Sequence, residues 1–130
     1  MAYNPPRFSE ERLAQVRKIV GQFPEGRQKS ALIRVLHMAQ EDFGGHLTAE
    51  VMDYVADLLA ISPIEVYEVA TFYTMFNLKP VGKYMLEVCH TGPCMLRGAD
   101  KTIAYLQQKL GIKVNETTED GFFTLKSAEC

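Results

Sequence analysis

The chain carries no excess of positive charge. Its 14 Lys and Arg stand against 16 Asp and Glu, for a formal net charge of −2, so it lacks the cations that displace counterions along a phosphate backbone, which argues against nucleic acid as a partner. The basic residues are scattered, with Arg17–Lys18 the one adjacent pair, and no polybasic patch addresses an anionic membrane. No apolar run approaches the roughly 20 residues of a transmembrane helix, so direct membrane insertion is not expected. The opening Met1-Ala2-Tyr3-Asn4-Pro5-Pro6-Arg7 has neither an apolar core nor a small-residue cleavage site; it does not read as a secretory signal, and it is too short and Pro-rich for a transit peptide. A cytoplasmic protein of bacterial type is the simplest expectation. No Gly-rich phosphate loop or Ser/His/Asp grouping points to nucleotide chemistry or hydrolysis, and Gly92 and Gly98 make no dinucleotide fingerprint. Three cysteines are too few for a disulfide framework in such a chain. Metal, redox chemistry or plain burial must account for them.

What is present is globular: 47% hydrophobic and 23% charged residues over 130 positions, enough for one domain or two small ones. Ser9 is placed to cap a helix with Glu10 and Glu11 in its first turn, and Leu13, Val16, Ile19 and Val20 follow at helical spacing up to Gly21. A second helix is predicted over 27–43, with the stripe Leu32, Val35, Leu36, Ala39 and Phe43, and Gly44-Gly45 as its stop. Thr48 caps a third, carrying Val51, Met52, Val55, Leu58 and Leu59. Ser62-Pro63-Ile64-Glu65 is the strongest local signal, a capping box with proline at the first helical position. The helix it opens, with Val66, Val69, Ala70, Tyr73 and Phe76 on one side, is predicted to fail near Asn77 because Pro80 disfavours helical geometry at Lys79.

After residue 80 the texture changes. Tyr84 to Val88 reads as a strand running into Cys89, and Gly98 to Leu110 as a helix with Ile103, Leu106 and Leu110 inward. Lys113 to Thr118 is a candidate strand, with Asp120-Gly121 as a hairpin turn and Phe122 to Lys126 returning. The expected organisation is α+β: a helical bundle over 1–80 and a partial strand–helix–hairpin domain over 81–130, whose sheet keeps a free face.

Cys89 and Cys94 bracket His90-Thr91-Gly92-Pro93 between a strand end and a helix start. Glycine lets backbone approach a ligand closely and proline stiffens the turn. The separation is within the range of zinc pairs, but a second pair is missing. It is not the Cys-x-x-Cys of a thiol redox site, and it is a spacing found in [2Fe–2S] sites. Spacing alone leaves a cluster, another metal or buried thiols open, and Cys130 taken by itself reads as an ordinary thiol.

The segments Val69-Ala70-Thr71-Phe72-Tyr73-Thr74-Met75-Phe76, Val88-Cys89-His90-Thr91-Gly92-Pro93-Cys94 and Leu96-Arg97-Gly98, in this order, closely resemble the small iron–sulfur subunits of NADH:quinone oxidoreductases (NADH dehydrogenases) such as respiratory complex I. Related subunits serve NAD-reducing hydrogenases and NAD-dependent formate dehydrogenases. The resemblance runs from about Ser9 to Cys130. It implies a thioredoxin-like ferredoxin domain behind the helical one, and a [2Fe–2S] cluster held by Cys89, Cys94 and Cys130, with a fourth cysteine beyond the chain end. The sequence is accordingly expected to be a fragment rather than a natural short form. The cluster is expected to exchange electrons with flavin on an NADH/FMN-binding partner subunit, with other peripheral-arm subunits nearby and the complex peripheral to the inner face of the cell membrane. FMN and NAD are expected on the partner. Cluster-free bracing of the flavin subunit and a dithiol oxidoreductase using Cys89 and Cys94 are the alternatives. Phe72, Tyr73 and Phe76 read as packing between the two domains, with some of them facing a partner as the alternative, His90 as a surface or hydrogen-bonding residue, and His37 and His46 as structural or solvent-facing. Arg97 is a candidate for stabilising a reduced cluster or for an ordinary salt bridge, and Glu41-Asp42 a solvated helix end.

Overall fold

The computed structural model describes residues 3–130. They divide into two compact units, one ending at Pro80 and the other covering Val81–Cys130.

The first unit is helical. Helix α1 (Glu10–Val20) opens where Ser9 Oγ accepts the Arg12 backbone N–H at 3.2 Å, and its ends carry Glu10 and Glu11 against Arg17 and Lys18, matching the helix dipole. A 3-10 turn (Gln28–Ala31) leads into α2 (Leu32–Asp42), so the helix predicted from residue 27 begins as a tighter turn. Helix α3 (Ala49–Leu59) is capped by Thr48, whose Oγ1 accepts from Val51 N–H at 3.3 Å. Helix α4 (Pro63–Phe72) starts with proline, and Glu65 accepts the Ser62 N–H at 3.0 Å. The apolar stripes of the four helices meet in one core in which Val35, Leu36, Val55 and Val66 are fully buried. Each such side chain contributes about 1.5–3 kcal/mol by leaving water. Phe8 joins this core from outside any helix, stacking on Phe43 at 5.4 Å and meeting the Tyr54 ring edge-on at 5.5 Å.

Helix α4 ends four residues before Phe76, not near Asn77. Tyr73 is already extended, because the next backbone groups are claimed from elsewhere. Asn77 N–H donates to Gln40 Oε1 at 2.7 Å, Gln40 Nε2 donates to the Met75 carbonyl at 3.0 Å, and Leu47 N–H donates to the Asn77 carbonyl at 2.7 Å. Phe76 is thereby drawn into the first unit's own core against His37, at 4.9 Å between rings, whereas Phe72 points into solvent. Glu41 and Asp42 are not merely solvated: Arg12 of α1 forks onto Asp42 at 2.6 and 2.8 Å and reaches Glu41 at 3.2 Å.

The second unit is a strand–helix–strand crossover. Strand β1 (Tyr84–Cys89) runs into the short α5 (Gly92–Leu96), then α6 (Ala99–Leu110), and the chain returns as β2 (Phe123–Ala128). β1 and β2 pair in parallel, from Tyr84 opposite Phe123 to Cys89 opposite Ala128, and α6 packs against both. Parallel neighbours need such a crossover. Leu125 and Thr124 are buried on β2.

The predicted hairpin is present in reduced form, and its first strand is corrected. Residues 113–118 form no strand, and the sheet has two strands among the described residues. Lys113 N–H bonds the Glu116 carboxylate at 2.7 Å, and Asn115 takes a left-handed φ of 70°, which breaks the extended run. What remains is a short antiparallel return: the Thr117–Thr124 bridge, with backbone N–H groups of Thr118, Asn115 and Leu125 donating to the carbonyls of Phe123 at 2.8 Å, Leu125 at 2.7 Å and Glu116 at 3.2 Å, and the turn closed by Gly121 N–H to the Thr118 carbonyl at 2.8 Å. Gly82 allows the segment before β1 to lie on β2. A Cβ there would fall 2.8 Å from the Phe123 carbonyl carbon, and the Gly82 N–H donates to Thr124 Oγ1 at 2.6 Å.

Candidate metal centre

The parallel pairing decides where the cysteines go. Both strands end at the same edge of the sheet, so Cys89 as the last residue of β1 and Cys130 just past β2 arrive together. The carboxyl ends of parallel strands are where open α/β sheets gather their ligands. Between the strands the chain turns at once. Gly92 has a φ of 47°, Pro93 opens α5 without needing an N–H, and Cys94 N–H donates to the Thr91 carbonyl at 3.1 Å. This returns Cys94 to the strand ends.

The three sulfur atoms lie within 4.8 Å of one another. Cys89 Sγ is 3.0 Å from Cys130 Sγ and 3.6 Å from Thr91 Oγ1. Cys89 and Cys94 are half-buried and Cys130 is exposed. Crowding three thiols in so small a space splits their acidities. The Cys89 thiol is pulled down to about 6, first by its hydrogen bond with Cys130 and then by the Thr91 backbone and hydroxyl. Cys94 is pushed up to about 11, chiefly by its hydrogen bond to the Cys89 sulfur and then by burial. A group of like-charged thiolates is tolerated only when a cation or cluster neutralises it, and soft sulfur donors select zinc, copper(I) or iron–sulfur centres. The donor set therefore fits an iron–sulfur group.

Of the other sequence candidates, His90 is outside this trio. Its Nε2 is 3.9 Å from the Glu129 carboxylate, and its Nδ1 is buried without a hydrogen-bond partner. Arg97 is exposed at the end of α5, with no ion pair among the described residues. His46 Nδ1 lies 3.4 Å from the Gly44 carbonyl, and His37 sits on Phe76. Sequence reasoning missed Thr91, whose hydroxyl and carbonyl both approach Cys89 Sγ. Its place between two cysteines was the available signal.

The family model described as thioredoxin-like [2Fe-2S] ferredoxin matches residues 16–130. The chain belongs to the thioredoxin-like [2Fe–2S] ferredoxin family. Among the relatives of this ferredoxin is an NADH-quinone oxidoreductase subunit of Rickettsia conorii, 47% identical over 95% of the chain and 74% of the relative. The corresponding subunit of Rickettsia prowazekii is 44% identical over 95% of the chain and 70% of the relative. The mitochondrial NADH dehydrogenase [ubiquinone] flavoprotein 2 of Dictyostelium discoideum is 44% identical over 98% of the chain, which spans about half (52%) of its length. The ferredoxin assignment agrees with the convergent sulfurs, and no helix among the described residues is long and apolar enough to cross a membrane.

Proposed function

We propose that this chain is the [2Fe–2S] electron-transfer subunit of an NADH:quinone oxidoreductase, with Cys89, Cys94 and Cys130 as cluster ligands. The observation that carries this reading is the convergence of three thiols, from positions up to 41 residues apart, at one edge of a parallel strand pair. The family match and the names of the relatives support it, and they favour a respiratory complex over the hydrogenase and formate dehydrogenase alternatives. When bound, the cluster supplies a one-electron redox couple. The protein's own contribution is positional. β1 and β2 hold Cys89 and Cys130 side by side, α5 brings Cys94 to them, and the exposed edge leaves the site reachable from a neighbouring protein. That neighbour is the NADH- and FMN-binding subunit, which holds the flavin and nicotinamide. The complex lies at the inner face of the cell membrane, with other peripheral-arm subunits around it.

The test is anaerobic reconstitution with iron and sulfide in the presence of a small thiol able to fill a fourth ligand position. A [2Fe–2S] ratio of iron and acid-labile sulfide per chain, with an EPR signal on reduction, supports the carrier reading. A folded chain that binds the flavin subunit but takes up no iron under these conditions overturns it, and leaves a bracing role.

A further inference from the structure

We propose that in the cluster-free chain Cys89 and Cys130 are a reversible oxidation site, closing to a disulfide that leaves Cys94 as the free thiol and shuts the sulfur site to iron. The pair is set up by the sheet. Cys89 stands opposite Ala128 in the parallel register, His90 N–H holds the Ala128 carbonyl at 3.1 Å, and the two sulfurs already lie 3.0 Å apart. A disulfide bond of about 2.05 Å requires them to close by only about 1 Å. Cys130 is exposed and lies two residues past Ala128, the last residue of β2. Cys94, by contrast, is fixed in a helical turn by the bonds from its own N–H to Thr91 and from Arg97 N–H to Pro93.

The oxidant is a small disulfide such as oxidised glutathione. The exposed Cys130 gives up its proton and its sulfur attacks one sulfur of that disulfide, whose S–S bond breaks, and one glutathione leaves as thiolate. Cys89 then attacks Cys130 Sγ of the mixed disulfide and expels the second glutathione. Two electrons pass from the cysteine pair to the oxidant, and the two cysteine protons end on the two glutathiones. Excess reduced glutathione or a thioredoxin-type dithiol reverses both steps.

The fold, and not proximity in sequence, selects this pair. In an unfolded chain the favoured ring is the short one between Cys89 and Cys94, since the entropic cost of closure grows with loop length. Cys89 and Cys130 are 41 positions apart. The consequence for iron loading rests on the cluster reading above, whereas the pairing itself does not.

The experiment incubates the purified cluster-free chain with oxidised glutathione, quenches in acid, labels free thiols and maps the disulfides by peptide mass spectrometry. The expected result in native buffer is a Cys89–Cys130 bridge with Cys94 labelled, shifting to Cys89–Cys94 when the same reaction is run in concentrated urea. Cys94→Ser is expected to bridge as well as the unmodified chain. A native-buffer product dominated by Cys89–Cys94, or a stable glutathione adduct on Cys130, overturns the proposal. Iron uptake is read in parallel and is expected to be lost on oxidation and restored by a thiol reductant. Uptake undiminished by the mapped bridge overturns the shutting of the site. Absence of uptake by the reduced chain as well counts against the cluster reading and leaves the mapped bridge standing.

Discussion

Cys89 and Cys130 are 41 residues apart in the chain and 3.0 Å apart at their sulfurs. The relationship is a product of parallel pairing, in which two strands finish at one edge, and it makes the cysteines separable from the fold. Cys89→Ser, Cys94→Ser and Cys130→Ser are each expected to abolish stable cluster loading, measured as iron per chain, while circular dichroism stays that of the unmodified protein. A variant that keeps full iron would remove its residue from the ligand set.

Phe72 and Phe76 share one aromatic motif and have opposite surroundings. Phe72 is 76% exposed, whereas Phe76 is 4% exposed and packs in the helical core. Phe76→Ala is expected to destabilise the first unit by about 3–5 kcal/mol through the cavity it leaves. Phe72→Ala is expected to change stability by no more than about 0.5 kcal/mol. Urea unfolding of the two variants makes the comparison, and equal losses would contradict the exposures.

At Gly82 a methyl group has nowhere to go, because a Cβ would sit 2.8 and 2.9 Å from the Phe123 backbone. Gly82→Ala is expected to cost about 1–3 kcal/mol through overpacking. Hydrogen exchange should show the loss at β1 and β2, with the protection of α2 and α3 unchanged. Faster exchange in the helices alone would be the wrong pattern.

Acid should weaken the protein through its carboxylates. The Arg12 guanidinium holds Asp42 below its ordinary 3.8, Lys29 holds Glu65 below 4.5, and the Thr118 hydroxyl holds Asp120 below 3.8. A depressed folded-state value means that the unfolded chain binds protons first as pH falls. The stabilisation is therefore fully present above these ordinary values and is lost as pH drops through the lower folded ones. Thermal melting between pH 6 and pH 2.5 is expected to show stability falling below about pH 4.5. Asp42→Asn should be less stable at neutral pH and show a shallower acid limb; an unchanged limb would remove the Arg12 pair from the account.

The helix starts and the cysteine loop could be read directly. Ser9, Thr48 and the Ser62-Pro63-Ile64-Glu65 box act on N–H groups within three residues of themselves, so the chemistry that begins α1, α3 and α4 is written in adjacent letters. The same holds for the turn through Gly92 and Pro93 that returns Cys94. The α+β character followed from the change of periodicity after Pro80, and the motif around Cys89 carried the family.

Other features depend on groups distant in sequence. The end of α4 is set by Gln40, 37 positions from the Asn77 it bonds, and no pattern near Phe72 announces it. Alternation and a turn at Asp120-Gly121 suggested a hairpin; a short hydrogen-bonded return is there, but Asn115 and the Lys113–Glu116 contact keep 113–118 from forming a strand, and β2 takes its strand partner, β1, from across the α5–α6 crossover. The sequence alone thus determined where helices begin and that Cys89 and Cys94 share a loop, since those outcomes rest on hydrogen bonds spanning a few residues. The family resemblance named Cys130 as a third ligand, but only the tertiary structure decided how it reaches the other two, since a parallel register is chosen by which surfaces bury together and not by spacing along the chain.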